Sequence, residues 1–181
     1  MKEKKRLQKI RMVGALGDFQ LALSAATFLS DAEEGAHYSI VELRRFRCFE
    51  HTAIISYARP FSQSKGSLPK LSLKQCAANL TTLEQELHDR VITLRNKLVA
   101  HSDLEMMNFA SFVEGASADP EKGLSMFLAR HDEGLQFYSF REQSAFVALI
   151  TKVQFSLYRR LFNEAQADPT SLRLNVHHPK E

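Results

Sequence analysis

The stretch His88-Asp89-Arg90-Val91-Ile92-Thr93-Leu94-Arg95-Asn96-Lys97-Leu98-Val99-Ala100-His101-Ser102-Asp103 decides how this chain is read. Together with the residues before it, it forms a helical pattern. Leu83, Leu87, Val91, Leu94 and Leu98 recur at steps of four, four, three and four, which places them on one side of an α-helix. Thr81 and Glu84 have the spacing of a capping box, in which hydroxyl and carboxylate satisfy free amides at a helix start. The helix begins near Ser72 or, after a kink, at Thr81, and is predicted to reach about Ala100.

Two further long helices precede it. From about Lys4 to Ser30, Met12, Leu16, Phe19, Leu23, Ala26 and Leu29 form an apolar stripe. Gly14 and Gly17 weaken that stripe locally and mark a break or a close helix–helix contact. From about Ser39 to Ala58, Ile40, Leu43, Phe46, Phe49, Ala53, Ile54 and Tyr57 form the next stripe. Its opposite face carries Glu42, Arg44, Arg45, Arg47, Glu50 and His51, and Pro60 ends it. Residues 61–70 read as a loop.

Beyond the opening stretch, residues 104–140 combine β-prone runs with turn residues and read as a small β-rich insertion. A last helix runs from about Glu142 to Ala167, with Phe146, Leu149, Ile150, Val153, Leu157, Tyr158 and Leu161 as its buried face. Long helices with apolar stripes must bury them against one another. The predicted architecture is a mostly α, four-long-helix bundle over residues 1–167, with the insertion between the third and fourth long helices and a loosely held polar tail at 168–181.

Composition fits such a domain. The chain has 181 residues, 44% of them apolar and 25% charged, enough to bury a core and unlike a disordered chain. With 13 Phe and no Trp, aromatic packing falls to Phe. A net charge of +3 permits phosphate binding without demanding it. The cluster Lys2-Glu3-Lys4-Lys5-Arg6 reads as a solvated helix end before it reads as a phosphate patch. Cys48 and Cys76 sit in helical patterns and read as buried free thiols. Asp18 and Gln20 break the first apolar run, so neither a signal peptide nor a membrane span is expected, and a cytoplasmic location is. Gly-rich phosphate loops, HExxH, paired CxxC and Gly-x-Ser-x-Gly are all missing from the sequence, so no cofactor and no metal site is expected. His177-His178 is read as adventitious.

The polar groups around the third stripe are where chemistry is expected. His101 lies seven positions after Leu94 and, on a continuous helix, shares its side. Arg95 stands roughly 120° from His101 around the axis at about 3.6 residues per turn. The two converge if the helix ends near Ala100, or if two copies of the chain meet across a two-fold axis. A structural role competes: His101 capping the last carbonyls, and Arg95 paired with Glu42, Glu50 or Asp89. His88 and Asp89 read as surface residues, and Asp103 as a turn residue, with orientation of His101 as its alternative. Arg44, Arg45, Arg47 and Arg59 form either a phosphate-tracking surface or a solvated helix face.

Arg95, Asn96 and His101, with five residues between Arg and His, resemble the motif of the HEPN superfamily (higher eukaryote and prokaryote nucleotide-binding). In its ribonucleases an Arg is followed at once by a polar residue and, after a short spacer, by a His. The run from Leu94 to Asp103 looks most like the abortive-infection branch, as does Ile55-Ser-Tyr57-Ala-Arg59-Pro60-Phe61-Ser62. The resemblance covers Glu42 to Asp103 and, loosely, the last helix; neither the first helix nor the insertion matches by motif.

The resemblance implies a dimerising helical bundle and metal-independent RNA cleavage. Catalytic roles fall to Arg95, Asn96 and His101, with Arg45, Arg59, Lys97 and Asp103 as candidate substrate contacts. The implied partners are RNA, a second copy of the chain with the site at the shared interface, and a regulatory or antitoxin protein. The alternative is a non-catalytic RNA-binding or dimeric scaffold subunit.

Overall fold

Four alanines, Ala15, Ala22, Ala25 and Ala26, lie on the buried face of the first helix. The computed structural model describes residues 2–63, 66, 68–100, 109–119, 123–132, 135–137 and 139–174. Helix α1 spans Lys2–Leu29 and turns Met12, Ala15, Phe19, Ala22, Ala26 and Leu29 into the core. It packs mainly against α2 (Ile40–Ala58) and then against α5 (Phe140–Ala167), while α2 also meets α4 (Thr82–Ala100). The chain is mostly helical. Phe46, Ala53, Ile54 and Tyr57 of α2, Val91 and Leu94 of α4, and Phe146, Leu149, Ile150, Val153, Leu157 and Leu161 of α5 join α1 in one apolar cluster.

Helix starts follow their caps. Ser39 and Glu42 form a capping box at α2. The two candidate starts of the third helix are two separate helices. Ser72 and Gln75 box a one-turn α3, Leu73–Cys76, which ends on Ala77 in the left-handed region at φ 55°. Thr81 then opens α4: its amide donates to Glu84 Oε2 at 2.7 Å, and the Glu84 amide donates to Thr81 Oγ1 at 3.3 Å. Helix α5 begins at Phe140, capped by Ser139, two residues before the sequence reading placed it.

Between α4 and α5 the chain forms two antiparallel strands, β1 (Phe109–Asp119) and β2 (Gly123–Asp132). Their register shifts between Val113 and Gly115. The return from β2 is held at three points. The Phe137 amide donates to Glu50 Oε1 at 2.8 Å, Gln143 Nε2 donates to the Phe137 carbonyl at 3.1 Å, and Arg90 donates to the Gln136 carbonyl at 2.7 Å and to Glu142 at 2.8 Å. The Phe137 ring stacks on Phe146 with centroids 4.8 Å apart.

Several expectations are corrected. Gly14 and Gly17 neither break α1 nor permit a close approach: the helix runs through both, and a Cβ at either would meet nothing within 4 Å. Glu50, assigned to the solvent face of α2, is 1% exposed because the packed seam runs Phe46, Glu50, Ala53, Ile54, Tyr57. Ile40 and Leu43 lie before that seam begins and are exposed, as is Leu83 at the start of α4. Cys48 is exposed, since it stands roughly 200° around the axis from Phe46. Tyr158 is exposed, on the outer side of α5. Residues 168–174 are not a loose tail: Leu172 packs against the core and the Ser171 carbonyl accepts from Lys9 at 3.2 Å.

Residues Glu3–Leu29 are long and apolar enough to cross a membrane by length and composition, which a search for uninterrupted apolar runs passes over at Asp18 and Gln20. In this fold one face of that helix lies in the core.

Candidate functional site

Arg95 sits on the flank of the packed face of α4. His88, Val91 and Leu94 are buried, and Arg95 follows His88 by seven residues, about 10 Å of helix rise along nearly the same side. The side chain is half-buried. Its Nε is fully shielded from solvent and makes no hydrogen bond among the described residues, while Nη1 donates to Asn96 Oδ1 at 3.1 Å. Asn96 itself is exposed and Lys97 half-buried. The competing structural reading had Arg95 paired with Glu42, Glu50 or Asp89. Among the described residues none of these is its partner: Glu42 caps α2, Glu50 holds the Phe137 amide, and Asp89 accepts from Gln85.

His101 and Asp103 lie outside the described residues. The other proposed substrate contacts are spread out. Arg59 ends α2 and pairs with Asp18 of α1 at 2.7 Å, so its charge is already engaged. Arg45 lies over the Phe46 ring at 5.2 Å and is about 21 Å of helix rise from Arg59. The structure does not bring these two arginines together.

Sequence reasoning passed over the polar residues that the core encloses. His88, read as a surface residue, is 7% exposed, and its Nδ1 is 2.8 Å from the buried Tyr57 hydroxyl. Tyr57 meets its ring edge-on at 5.7 Å, and Phe61 does so at 4.8 Å. Burial lowers the His88 pKa, with Asp89 opposing, and burial raises that of Tyr57. Both shifts favour the uncharged forms, which a single hydrogen bond joins, its direction set by the His88 tautomer. Burial likewise holds the Glu50 carboxyl above its ordinary range, against the amides of Phe137 and Gln136 and the charges of Arg47 and Arg90. Arg11, also buried, donates to the Arg59 carbonyl. The available signal for His88 was its place beside Leu87 and seven before Arg95, in step with the stripe.

Chemically, the end of α4 offers a planar cation that donates to an adjacent amide oxygen and whose remaining N–H groups meet no carboxylate among the described residues. Such a fork suits the two non-bridging oxygens of a phosphodiester. Among the described residues no group of three or more His, Cys, Asp and Glu is placed to hold a metal ion. No protein-family model, curated protein or solved structure matches the chain.

Proposed function

We propose that this chain is a HEPN-type endoribonuclease, folded as a four-helix bundle with the β1–β2 pair inserted, that cleaves RNA in the cytoplasm as a toxin or phage-defence effector. The observation that carries the reading is Arg95: a half-buried guanidinium, held by Asn96 and unclaimed by any carboxylate among the described residues, six positions before His101.

In this reading the His101 imidazole, with an unperturbed pKa of about 6.5, takes the proton from a ribose 2′-OH. The oxyanion attacks the adjacent phosphorus, a cyclic phosphate forms as the P–O5′ bond breaks, and the departing 5′-oxygen takes a proton from water, while the imidazolium returns its own to solvent. Arg95 holds the phosphoryl oxygens as charge builds on them, and Asn96 keeps the guanidinium in the orientation that needs no rearrangement. The 2′-OH makes the reaction specific for RNA over DNA. A second copy of the chain completes the cleft, and a separate regulator restrains the activity.

The test is cleavage of total RNA by the wild-type protein, His101→Ala and Arg95→Ala, each checked for folding by circular dichroism. The expected loss is about a hundredfold or more for His101→Ala. Equal cleavage by wild type and His101→Ala ends the catalytic reading. The alternative, a non-catalytic dimeric scaffold, draws on the exposed apolar side chains Phe28, Ile40 and Val41 that flank the α1–α2 connection. It expects no cleavage by the wild type and a dimer weakened by changing Arg95.

A further inference from the structure

Helix α5 is apolar on two sides. At 3.6 residues per turn its buried apolar residues, Phe146 to Leu161, point one way, and Phe155, Arg159 and Phe162 cluster within roughly 60° of each other on the opposite side. Phe155, Tyr158 and Phe162 are 63, 55 and 48% exposed. Tyr158 and Phe162 lie nearly parallel, with centroids 6.4 Å apart at 20°. These three rings share one helix face and stand outside the core cluster.

Beside them runs an open groove of about 560 Å³, lined by Phe155, Arg159, Asn163, Arg160, Glu164 and Ala77. Its charge is positive. Glu164 is shared between Arg160 at 3.3 Å and Lys9 at 3.4 Å, and Arg160 also donates to the Gln75 carbonyl at 2.9 Å. Arg159, between the rings, makes no ion pair or hydrogen bond among the described residues. A second copy of the chain centred on this row would set Arg159 against its own twin; the one acid of the adjoining groove among the described residues, Glu164, is already shared between Arg160 and Lys9. An anionic partner with flat faces fits better.

We infer that the outer face of α5 from Phe155 to Phe162 is a docking platform for single-stranded nucleic acid. Bases stack on the three rings, which tolerate any sequence because every base has a π-face. Arg159 holds the backbone phosphates, and Asn163 lies in the adjoining groove. The platform is separate from the α4 site. Arg90 of α4 reaches Glu142, near the start of α5, whereas Phe155 lies about 20 Å of helix rise further along. The inference stands on α5 alone and goes beyond the reading of Arg95.

The test is fluorescence anisotropy with a labelled mixed-sequence DNA strand of about 15 nucleotides, a length such platforms span. DNA lacks the 2′-OH and stays intact under the proposed chemistry. The same sequence as RNA strand, as duplex, and an acidic peptide form the other arms. The variants are Phe155→Ala/Phe162→Ala and Arg159→Glu, all at exposed positions. Wild type should bind both single strands and prefer them to duplex, and each variant should lose about tenfold or more.

Four results overturn the inference: no strand binding by wild type, unchanged affinity in the variants, acidic peptide competing as well as the strand, or a dimer that the double variant dissociates while strand binding persists. Arg95→Ala and His101→Ala report on the other site. Loss of cleavage with strand binding kept upholds both readings, and absent wild-type cleavage with platform-dependent binding removes only the α4 reading.

Discussion

Replacing Tyr57 with Phe removes one oxygen atom from the packed core and leaves the ring in place. That oxygen lies 2.8 Å from His88 Nδ1, and both side chains are buried. In the variant the imidazole nitrogen keeps its burial and loses its partner, so the expected cost is about 1–3 kcal/mol, the desolvation penalty of an unsatisfied group. For a domain of this length each kcal/mol shifts Tm by about 2–4 °C, so calorimetry should find a drop of roughly 2–12 °C. Adding His88→Leu to Tyr57→Phe removes both partners and should recover part of the loss. The double-mutant cycle then gives a coupling of about 0.5–3 kcal/mol.

The pH dependence follows from the burial of the same histidine. The folded His88 pKa is lowered, so below about pH 6.5 the unfolded chain binds a proton that the folded chain resists. Stability is full above that pH and declines as pH falls toward the folded value; His51, whose pKa burial also lowers, acts in the same sense. His88→Leu should flatten the slope. A Tyr57→Phe protein as stable as wild type, or single losses that simply add, would refute the reasoning.

Gly14→Ala and Gly17→Ala should each raise stability by about 0.5–1 kcal/mol in urea unfolding, because α1 is helical at both and a methyl group meets nothing there. Glu50→Gln keeps an acceptor for the Phe137 amide and removes a buried ionisable group. Since the folded Glu50 pKa is raised, wild type loses this contribution as pH climbs from about 4.5 through the folded value, and the glutamine variant should be at least as stable as wild type at pH 7 by thermal melts.

The long helices were readable from residues three and four apart, and the Thr81–Glu84 box marked the start of α4 correctly because capping is local. What escaped was polarity inside the packed seams. Glu50 and His88 hold positions that geometry assigns to the core, but a reading that scores apolar residues sends them to the surface. Their partners, the Phe137 amide and the Tyr57 hydroxyl, are 87 and 31 residues away in the chain, so no local pattern announces them. Tyr158 erred the other way: an aromatic ring counted as buried although its angular position faces outward. At the candidate site the Arg95–Asn96 pairing is between neighbours in sequence, whereas Arg59's engagement with Asp18 spans 41 residues and could not be foreseen.

The three-point fastening of residues 136 and 137 bears on how this chain tolerates change. Strand β2 hands over to a segment riveted to α2, α4 and α5, so on that side whatever happens at the far end of the hairpin reaches the helices through those rivets. Lengthening a loop costs about 0.6 kcal/mol per doubling. Added residues between Asp119 and Gly123 therefore act on a lever whose fulcrum is fixed, and the hairpin is the place to splice a tag or reporter without disturbing the helices.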